Sequence, residues 1–245
     1  MRLVLLTTVF AGTLAAGCAA NVPLAFVMKK AGLTSKGVFW QQARGTVWDG
    51  QVTGLSVNGE PVGAVEGSFS LSRLVQSQPG HLLHWTGPSG HGTALAGPAK
   101  DGIHLEDGQA AVTFDASRIS SLFPAREVSL RLSDVQMDMG RDGCRAASGD
   151  VQTDALAHVS AAYGATWPEL TGFLSCEQGE LVISLEGQAA DGTGIAAKAY
   201  LQGGGRLELW DVPDSQTSAL LLAGFTNEAG KFVYMQQSPR GDVAQ

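Results

Sequence analysis

The feature that most constrains the fold of this chain is the alternation of apolar and polar residues along short segments. Val65 and Phe69 alternate with Glu66 and with serines, and residues 128–133 repeat the pattern. Alternation with a period of two is typical of a strand that buries one face and exposes the other to water. Turn-forming pairs separate the segments: Asn58-Gly59, Asp107-Gly108, Gln178-Gly179 and Asp191-Gly192.

The sequence therefore predicts a mainly β fold: an antiparallel, many-stranded curved sheet, or a sandwich or half-barrel. Glycine contributes 32 of the 245 residues and charged residues 16%, which excludes a coiled coil or a long helical bundle because glycine weakens helix interiors. The predicted strands are 51–57, 65–71, 82–85, 102–106, 111–115, 128–133, 135–139, 149–153, 173–177, 180–186, 194–201, 205–210 and 231–235.

One or two short helices are predicted beside the sheet. The candidates are residues 154–163 and residues 215–223, the second with Ser215 as its N-cap and Gly224 as its stop. Residues 78–100 hold three prolines and five glycines and are predicted to form an irregular link. The β-rich domain is expected over residues 31–235, with a division into two similar halves (about 37–100 and 101–235) left open, and residues 236–245 form a flexible tail.

The N-terminal 30 residues predict export of the rest of the chain. Residues 3–28 carry no charge, and this run exceeds the roughly 20 residues that a helix needs to span a bilayer. We favour an uncleaved signal anchor over residues 1–30. Two alternatives remain: a lipobox that ends at Cys18, which would be lipidated, and an ordinary signal peptide cut near Ala20.

Charge and cysteine content fit an exported domain that does not bind nucleic acid. The net charge of −7 argues against a basic face for phosphate backbones. Cys144 and Cys176 are the two cysteines of the exported part, and an even pair in an oxidising compartment predicts a disulfide worth about 3–4 kcal/mol. Two buried free thiols are the alternative.

The sequence predicts neither an enzyme nor a metal or cofactor site. His81 and His84 would point to opposite faces of a strand, and the nearby His91 and His104 complete no ligand set. Three further patterns also lack the spacing that their chemistry requires: residues 87–91 for a nucleophile elbow, residues 203–205 for a phosphate loop, and Asp134, Asp138 and Asp142 for a calcium loop.

One short motif carries a family resemblance. Residues 44–50 read Arg-Gly-Thr-Val-Trp-Asp-Gly, and Gly45, Thr46, Trp48 and Gly50 of this segment resemble the signature of the type II secretion system protein N family (general secretion pathway protein N). Residues 148–156 after Cys144, residues 172–176, and the terminal segments 204–212, 220–225 and 230–234 are similar to later passages of that family.

This resemblance implies a single-pass protein of the bacterial inner membrane with its C-terminal domain in the periplasm. The family's role is accessory and not catalytic: it supports export of folded proteins across the outer membrane. The implied partners are other type II secretion components, in the inner-membrane platform, the outer-membrane secretin or both, with a homo-oligomer left open. Within the motif we expect a sharp turn at Gly45 and a Trp48 side chain that covers the apolar end of the sheet.

Two other functions are also compatible with the sequence. An apolar sheet face lined by Val65, Phe69, Leu130, Ile183 and Leu207 would suit a protein that carries or bridges lipids across the envelope. Acylation at Cys18 would instead suit an outer-membrane lipoprotein that acts as an adaptor. We also expect the Cys144–Cys176 bridge to hold the connection around residues 154–167 in place.

Overall fold

The structure is a computed structural model of the chain and describes residues 21–70, 79–115, 127–157, 167–201 and 203–236. The chain divides into two compact units, Met1–Gly97 and Pro98–Gln245. Residues 1–20, with Cys18 and most of the predicted anchor, lie outside the described residues, as do residues 237–245 of the tail. Among the described residues, no helix has the length and apolar character needed to cross a bilayer.

The first unit is an antiparallel sheet preceded by a short helix. Strands β3 to β6 pair in chain order, and β1 and β2 both pair with β3. The elements are α1 (Leu24–Lys30), the 3-10 helix η1 (Leu33–Lys36), β1 (Val38–Phe39), β2 (Gln42–Gly45), β3 (Asp49–Val57), β4 (Glu60–Phe69), β5 (His81–Gly87) and β6 (Gly90–Ala99).

The predicted irregular link at residues 78–100 is wrong, because strands β5 and β6 occupy most of it. The two strands form a hairpin with register from His81↔Ala96 to Gly87↔Gly90, closed by a turn at Pro88 and Ser89. Proline fixes a backbone angle suited to the start of such a turn. Pro79 precedes β5 and Pro98 lies near the end of β6, so the prolines mark the limits of the strands.

The second unit is also an antiparallel sheet, and its strands pair in chain order except at the end, where β15 lies between β13 and β14. The mainly β, antiparallel prediction is therefore confirmed. The elements are β7 (Gly102–Asp115), β8 (Glu127–Gly140), β9 (Gly143–Thr153), β10 (Leu170–Glu177), β11 (Glu180–Gln188), β12 (Gly194–Tyr200), β13 (Gly205–Trp210), α2 (Asp214–Leu222), β14 (Thr226–Glu228) and β15 (Lys231–Gln236).

The turn predicted at Asp107-Gly108 is wrong, since this pair lies inside the 14-residue strand β7. The register between β7 and β8 shifts around the Gly108↔Val135 pair, and Asp107 and Asp134 have φ of 49° and 53°. These are bulges, at which an extra residue in a left-handed conformation is absorbed within a continuous ladder. As a result, four predicted short strands join into two long ones.

The two predicted helices have different outcomes. Residues 155–157 are helical, and residues 158–163 of the first lie outside the described residues. The second is α2, which begins at Asp214 after Pro213 and has no side-chain cap, so Ser215 is not the N-cap. Proline presets the backbone angle for entry, and the Asp214 carboxylate suits the positive end of the helix dipole. Gly224, with φ of 92°, ends this helix as predicted.

Two apolar clusters form the core of the second unit. The first cluster centres on Leu170, Ile195, Leu209 and Phe232, and Leu220 of α2 packs against it with other side chains from outside the strands. The second cluster centres on Val135, Val151 and Leu174. The partly buried residues around it all belong to β8, β9 and β11: Leu130, Leu132, Ala147, Leu181, Ile183 and Leu185.

Candidate functional site

The signature residues 45–50 form a tight hairpin loop between β2 and β3. The Thr46 amide donates to the Asp49 carbonyl over 2.8 Å. The Thr46 hydroxyl oxygen accepts hydrogen bonds from the amides of Trp48 and Asp49 over 3.3 and 3.2 Å. A threonine hydroxyl that bonds to amides two and three residues ahead stabilises a turn. Thr46 therefore fixes the loop through both its main chain and its side chain.

The two signature glycines are required by close backbone approaches. Gly45 has φ of 81°, a left-handed conformation that glycine adopts without steric cost. A Cβ at Gly45 would overlap the Asp49 carbonyl oxygen and come within 2.9 Å of the Gly50 Cα. A Cβ at Gly50 would lie 2.5 Å from the Thr46 carbonyl oxygen and 2.8 Å from Cδ2 of Leu24. Any side chain at either position would open the loop.

The loop also binds the segment that follows the uncharged N-terminal run. The Val47 amide donates to the Val22 carbonyl over 3.1 Å, and Pro23 forms an isolated antiparallel bridge with Thr46. Leu24, the first residue of α1, lies against Gly50. The signature is therefore the joint between the N-terminal segment and the sheet of the first unit.

Three aromatic rings from separate segments meet at this joint, and we call them the signature cluster: Trp48, Phe69 and His81. The Trp48 ring lies edge-on to Phe69, with centroids 5.1 Å apart, and parallel to His81 at 6.5 Å. His81 Nε2 hydrogen-bonds to the Val47 carbonyl over 2.8 Å, and the Phe69 amide donates to the Trp48 carbonyl over 2.6 Å. Trp48 covers this end of β4 and β5 and keeps 39% of its surface exposed.

The structure separates the four histidines considered above. His81 belongs to the signature cluster, whereas His84 lies on the opposite face of β5, as the alternating burial of that strand shows. His91 is exposed on β6, and His104 lies on β7 in the second unit. The described residues contain no group of three or more side chains able to hold a metal.

A polar cluster surrounds His104 that the sequence did not predict. Its Nδ1 hydrogen-bonds to the Asp138 carboxylate on β8, and its Nε2 contacts the Glu106 carboxylate at 3.1 Å. The hydrogen bond to Asp138 raises the pKa of His104 above its usual value of 6.5, helped by Glu106 and opposed by desolvation. Glu106 lies two residues from His104 on one strand, a local signal, but Asp138 joins the pair only through the β7–β8 register.

The other patterns considered in the sequence lie in turns, at a β-bulge or in the His104–Asp138 contact. Asp134 lies at the β8 bulge and Asp142 in the turn between β8 and β9, away from the His104–Asp138 contact. Residues 87–91 form the β5–β6 turn. Gly203 and Gly204, with φ of 108° and 88°, lead into β13.

Cys144 and Cys176 form the disulfide expected from the sequence, with Cα atoms 5.6 Å apart. Its predicted role at the connection around residues 154–167 is wrong. The β9–β10 register runs from Thr153↔Leu170 to Asp150↔Phe173, and the connection follows Thr153, whereas the disulfide lies toward the opposite ends of both strands. The bond therefore joins β9 and β10 beyond their ladder, where the Cys144 amide also donates to the Gly179 carbonyl over 2.8 Å.

The residues proposed to line an apolar groove occupy different environments. Val65 and Phe69 lie on β4 of the first unit. In the second unit, Leu130 and Ile183 pack in the second cluster, which consists of strand residues. Leu207 packs against the first cluster, which α2 and its flanking residues cover. The apolar face of the second unit is thus filled by side chains at the α2 end.

These observations define an antiparallel β protein whose signature loop joins an apolar N-terminal segment to its first sheet. A family model described as type II secretion system (T2SS), protein N matches residues 36–233. The chain belongs to this family, and it takes part in type II secretion together with other components of that system. The matched span includes the signature loop and both cysteines of the disulfide. Neither a curated protein nor a solved structure shows a significant match to the chain.

Proposed function

We propose that the chain is an accessory component of the type II secretion system, held in the bacterial inner membrane by residues 1–30 as a single-pass protein. Residues 31–235 lie in the periplasm and support export of folded proteins across the outer membrane through protein–protein contacts, without catalysis. The family match over residues 36–233 carries this proposal. The uncharged run supports the anchor, because the 19 residues from 3 to 21, which precede the contact of Val22 with the signature loop, match the roughly 20 that span a bilayer.

The proposed partners are the inner-membrane platform, the outer-membrane secretin or both. Strand β14 (Thr226–Glu228) is the last strand in the order of the second unit, and its three residues are exposed. A strand in this position presents backbone N–H and C=O groups with which an extended segment of another chain can pair. We therefore propose strand addition at β14 as one mode of contact.

Secreted-protein profiling tests the proposed role. A deletion strain should retain exoproteins in the periplasm, and the full-length chain supplied in trans should restore their release. A version in which residues 1–20 are replaced by a cleavable signal peptide is the matched control for the anchor, because it keeps Val22, Pro23 and α1 on the signature loop, and it should not restore secretion. An unchanged set of exoproteins in the deletion strain would refute the secretion role.

Membrane attachment is tested separately on the full-length protein. It should resist extraction from membranes at alkaline pH, and a phosphatase fused after residue 245 should be active, since that reporter folds only in the periplasm. Labelling with a radioactive fatty acid that disappears in Cys18→Ser would support the lipoprotein alternative and contradict the anchor.

Lipid handling is the second candidate function, and one observation favours it. The strand side chains around the second cluster, among them Leu130, Leu132 and Ile183, are only partly buried, so they offer an apolar surface that could hold acyl chains. Lipid that co-purifies with the full-length protein, together with normal secretion and altered outer-membrane permeability in the deletion strain, would favour this function over the first.

A further inference from the structure

Helix α1 has two faces with different surroundings. Leu24 and Met28, one turn apart, are half-buried, and Leu24 lies against Gly50 of the signature loop. The other face carries Phe26, which is 58% exposed, and Val27. Large apolar side chains that stand side by side in an exposed position are typical of a surface that another phase or molecule covers.

Lysines flank this apolar pair. Lys29 and Lys30 form the last turn of α1, and the Lys30 ammonium lies 6.0 Å from the centre of the Phe26 ring. A short helix that combines aromatic, aliphatic and lysine side chains on its outer face has the composition of a membrane-interfacial helix.

The same surface lies next to the membrane-directed part of the sequence. The uncharged run at residues 3–28 continues into α1, and the signature loop binds Val22 and Pro23 directly. Trp48 is therefore held within a few residues of the end of this run. Tryptophan is enriched at the boundary between the hydrocarbon core and water, because its ring is apolar and its N–H is polar.

Charge along the chain divides sharply at this loop. Residues 24–48 contain four Lys and Arg residues and no Asp or Glu, whereas the chain from Asp49 onward has 11 Lys and Arg residues against all 23 acids. A positive N-terminal segment on an otherwise acidic protein is complementary to a negatively charged surface, and such a surface repels the acidic part.

We infer that α1 and the signature loop form a basal surface (Phe26, Val27, Lys29, Lys30 and Trp48) that lies on the membrane and binds anionic phospholipid headgroups. This inference rests on the proposed membrane anchor. Phe26, Val27 and Trp48 enter the boundary region, and the two lysines contact lipid phosphates. The loop that touches lipid is also the turn between β2 and β3. The basal surface therefore sets the orientation of the first unit's sheet relative to the membrane.

Fluorescence quenching in vesicles tests the position of Trp48. The full-length protein is reconstituted into phosphatidylcholine vesicles that contain phosphatidylglycerol and a lipid brominated near its headgroup. Bromine quenches tryptophans in the boundary region, and Trp48 supplies about one fifth of the emission if the five tryptophans emit equally. Trp48→Phe should abolish the quenched fraction, and it keeps an aromatic ring against Phe69.

The matched control is Trp85→Phe in the same sheet. The Trp85 indole N–H donates to the Val62 carbonyl over 2.8 Å, so this ring is fixed on the sheet and not on the basal surface. Trp85→Phe should leave the quenched fraction unchanged. Equal quenching of the wild-type protein and Trp48→Phe would overturn the inference.

A second pair of variants tests the lysines without touching the loop. Lys29→Gln with Lys30→Gln should remove the extra quenching that phosphatidylglycerol produces over phosphatidylcholine alone. Lys100→Gln with Arg141→Gln, which removes two cations from the second unit, should preserve it. Quenching that does not depend on phosphatidylglycerol in the wild-type protein would overturn the headgroup assignment.

The two proposals fail in different ways. Release of the full-length protein from membranes at alkaline pH would refute the proposed anchor, and with it the basal surface. A protein that stays integrated but whose Trp48 is not quenched would leave the anchor in place and overturn the basal surface alone.

Discussion

Replacement of Gly45 by alanine tests whether close packing in the signature loop, beyond its backbone angle, makes glycine necessary. Gly59, in the turn between β3 and β4, is a matched control. Gly45 and Gly59 have φ of 81° and 88°, so alanine at either position has the same left-handed cost of about 1–2 kcal/mol. The two positions differ in the room available for a side chain. A Cβ at Gly59 meets nothing within 4 Å, whereas a Cβ at Gly45 overlaps the Asp49 carbonyl oxygen.

Alanine at Gly45 has an additional free-energy cost because Asp49 must move to make room for the Cβ. Asp49 can withdraw only if the loop opens and the hydrogen bond from the Thr46 amide to the Asp49 carbonyl lengthens from 2.8 Å. Such a bond contributes about 1 kcal/mol net, and overpacking costs about 1–3 kcal/mol. We therefore expect Gly45→Ala to lower the free energy of unfolding by about 3–6 kcal/mol and Gly59→Ala by about 1–2 kcal/mol.

Urea unfolding of the full-length protein in detergent, followed by tryptophan fluorescence, measures this difference as a shift in midpoint. Because Trp48 belongs to the loop, its emission should also shift in native Gly45→Ala and stay constant in native Gly59→Ala. Equal midpoints for the two variants would refute the packing argument and leave only the shared backbone cost.

Two further predictions concern the second unit. Cys144→Ser should lower the free energy of unfolding by about 3–4 kcal/mol, because the disulfide closes a loop with a sequence separation of 32 residues. Wild-type protein with a reductant should unfold at the same urea concentration as the variant. An unfolding midpoint that changes in neither case would contradict a stabilising disulfide. Asp138→Asn should lower the pKa of His104, since the hydrogen bond to Asp138 is the largest cause that raises it, and an NMR titration of the His104 ring gives the value. The pair should stabilise the fold fully below pH 6.5 and lose this effect as pH rises through the folded pKa, so an equal response of wild-type and variant to pH would contradict it.

The sequence predicts strands best where large apolar residues alternate with polar ones. Strands β3 and β13 were predicted in this way, and β13 has the predicted bounds. Strand β6 was not predicted because its residues are mostly small, with glycine, alanine and Pro98 among them. Strand β14 was not predicted because all three of its residues are polar. Pairing with neighbouring strands, which depends on residues far away in sequence, stabilises such segments.

Local signals also fail to distinguish a turn from a bulge. An aspartate followed by glycine at Asp107 suits both, because both need a left-handed residue. The partner strand decides: β8 has its own left-handed residue at Asp134, and the two strands continue past this point together.

The candidate site could be predicted in part. The motif itself is contiguous, so Gly45, Thr46, Trp48 and Gly50 were found together. The groups that the loop contacts, among them Val22, lie on other segments and required the fold. The His104–Asp138 contact spans 34 residues and depends on the register of two strands that both contain a bulge.

The order of strands in the second unit has a consequence for how this protein is assembled. From β8 to β13 each strand pairs with the one before it, so each new ladder closes a short loop and has a small entropic cost. A chain that emerges with its amino end first can add one strand at a time to the free edge of the growing sheet. Only the last step differs, because β14 pairs with β15, which follows it in the chain. This sheet is therefore complete only after β15 (Lys231–Gln236) has emerged.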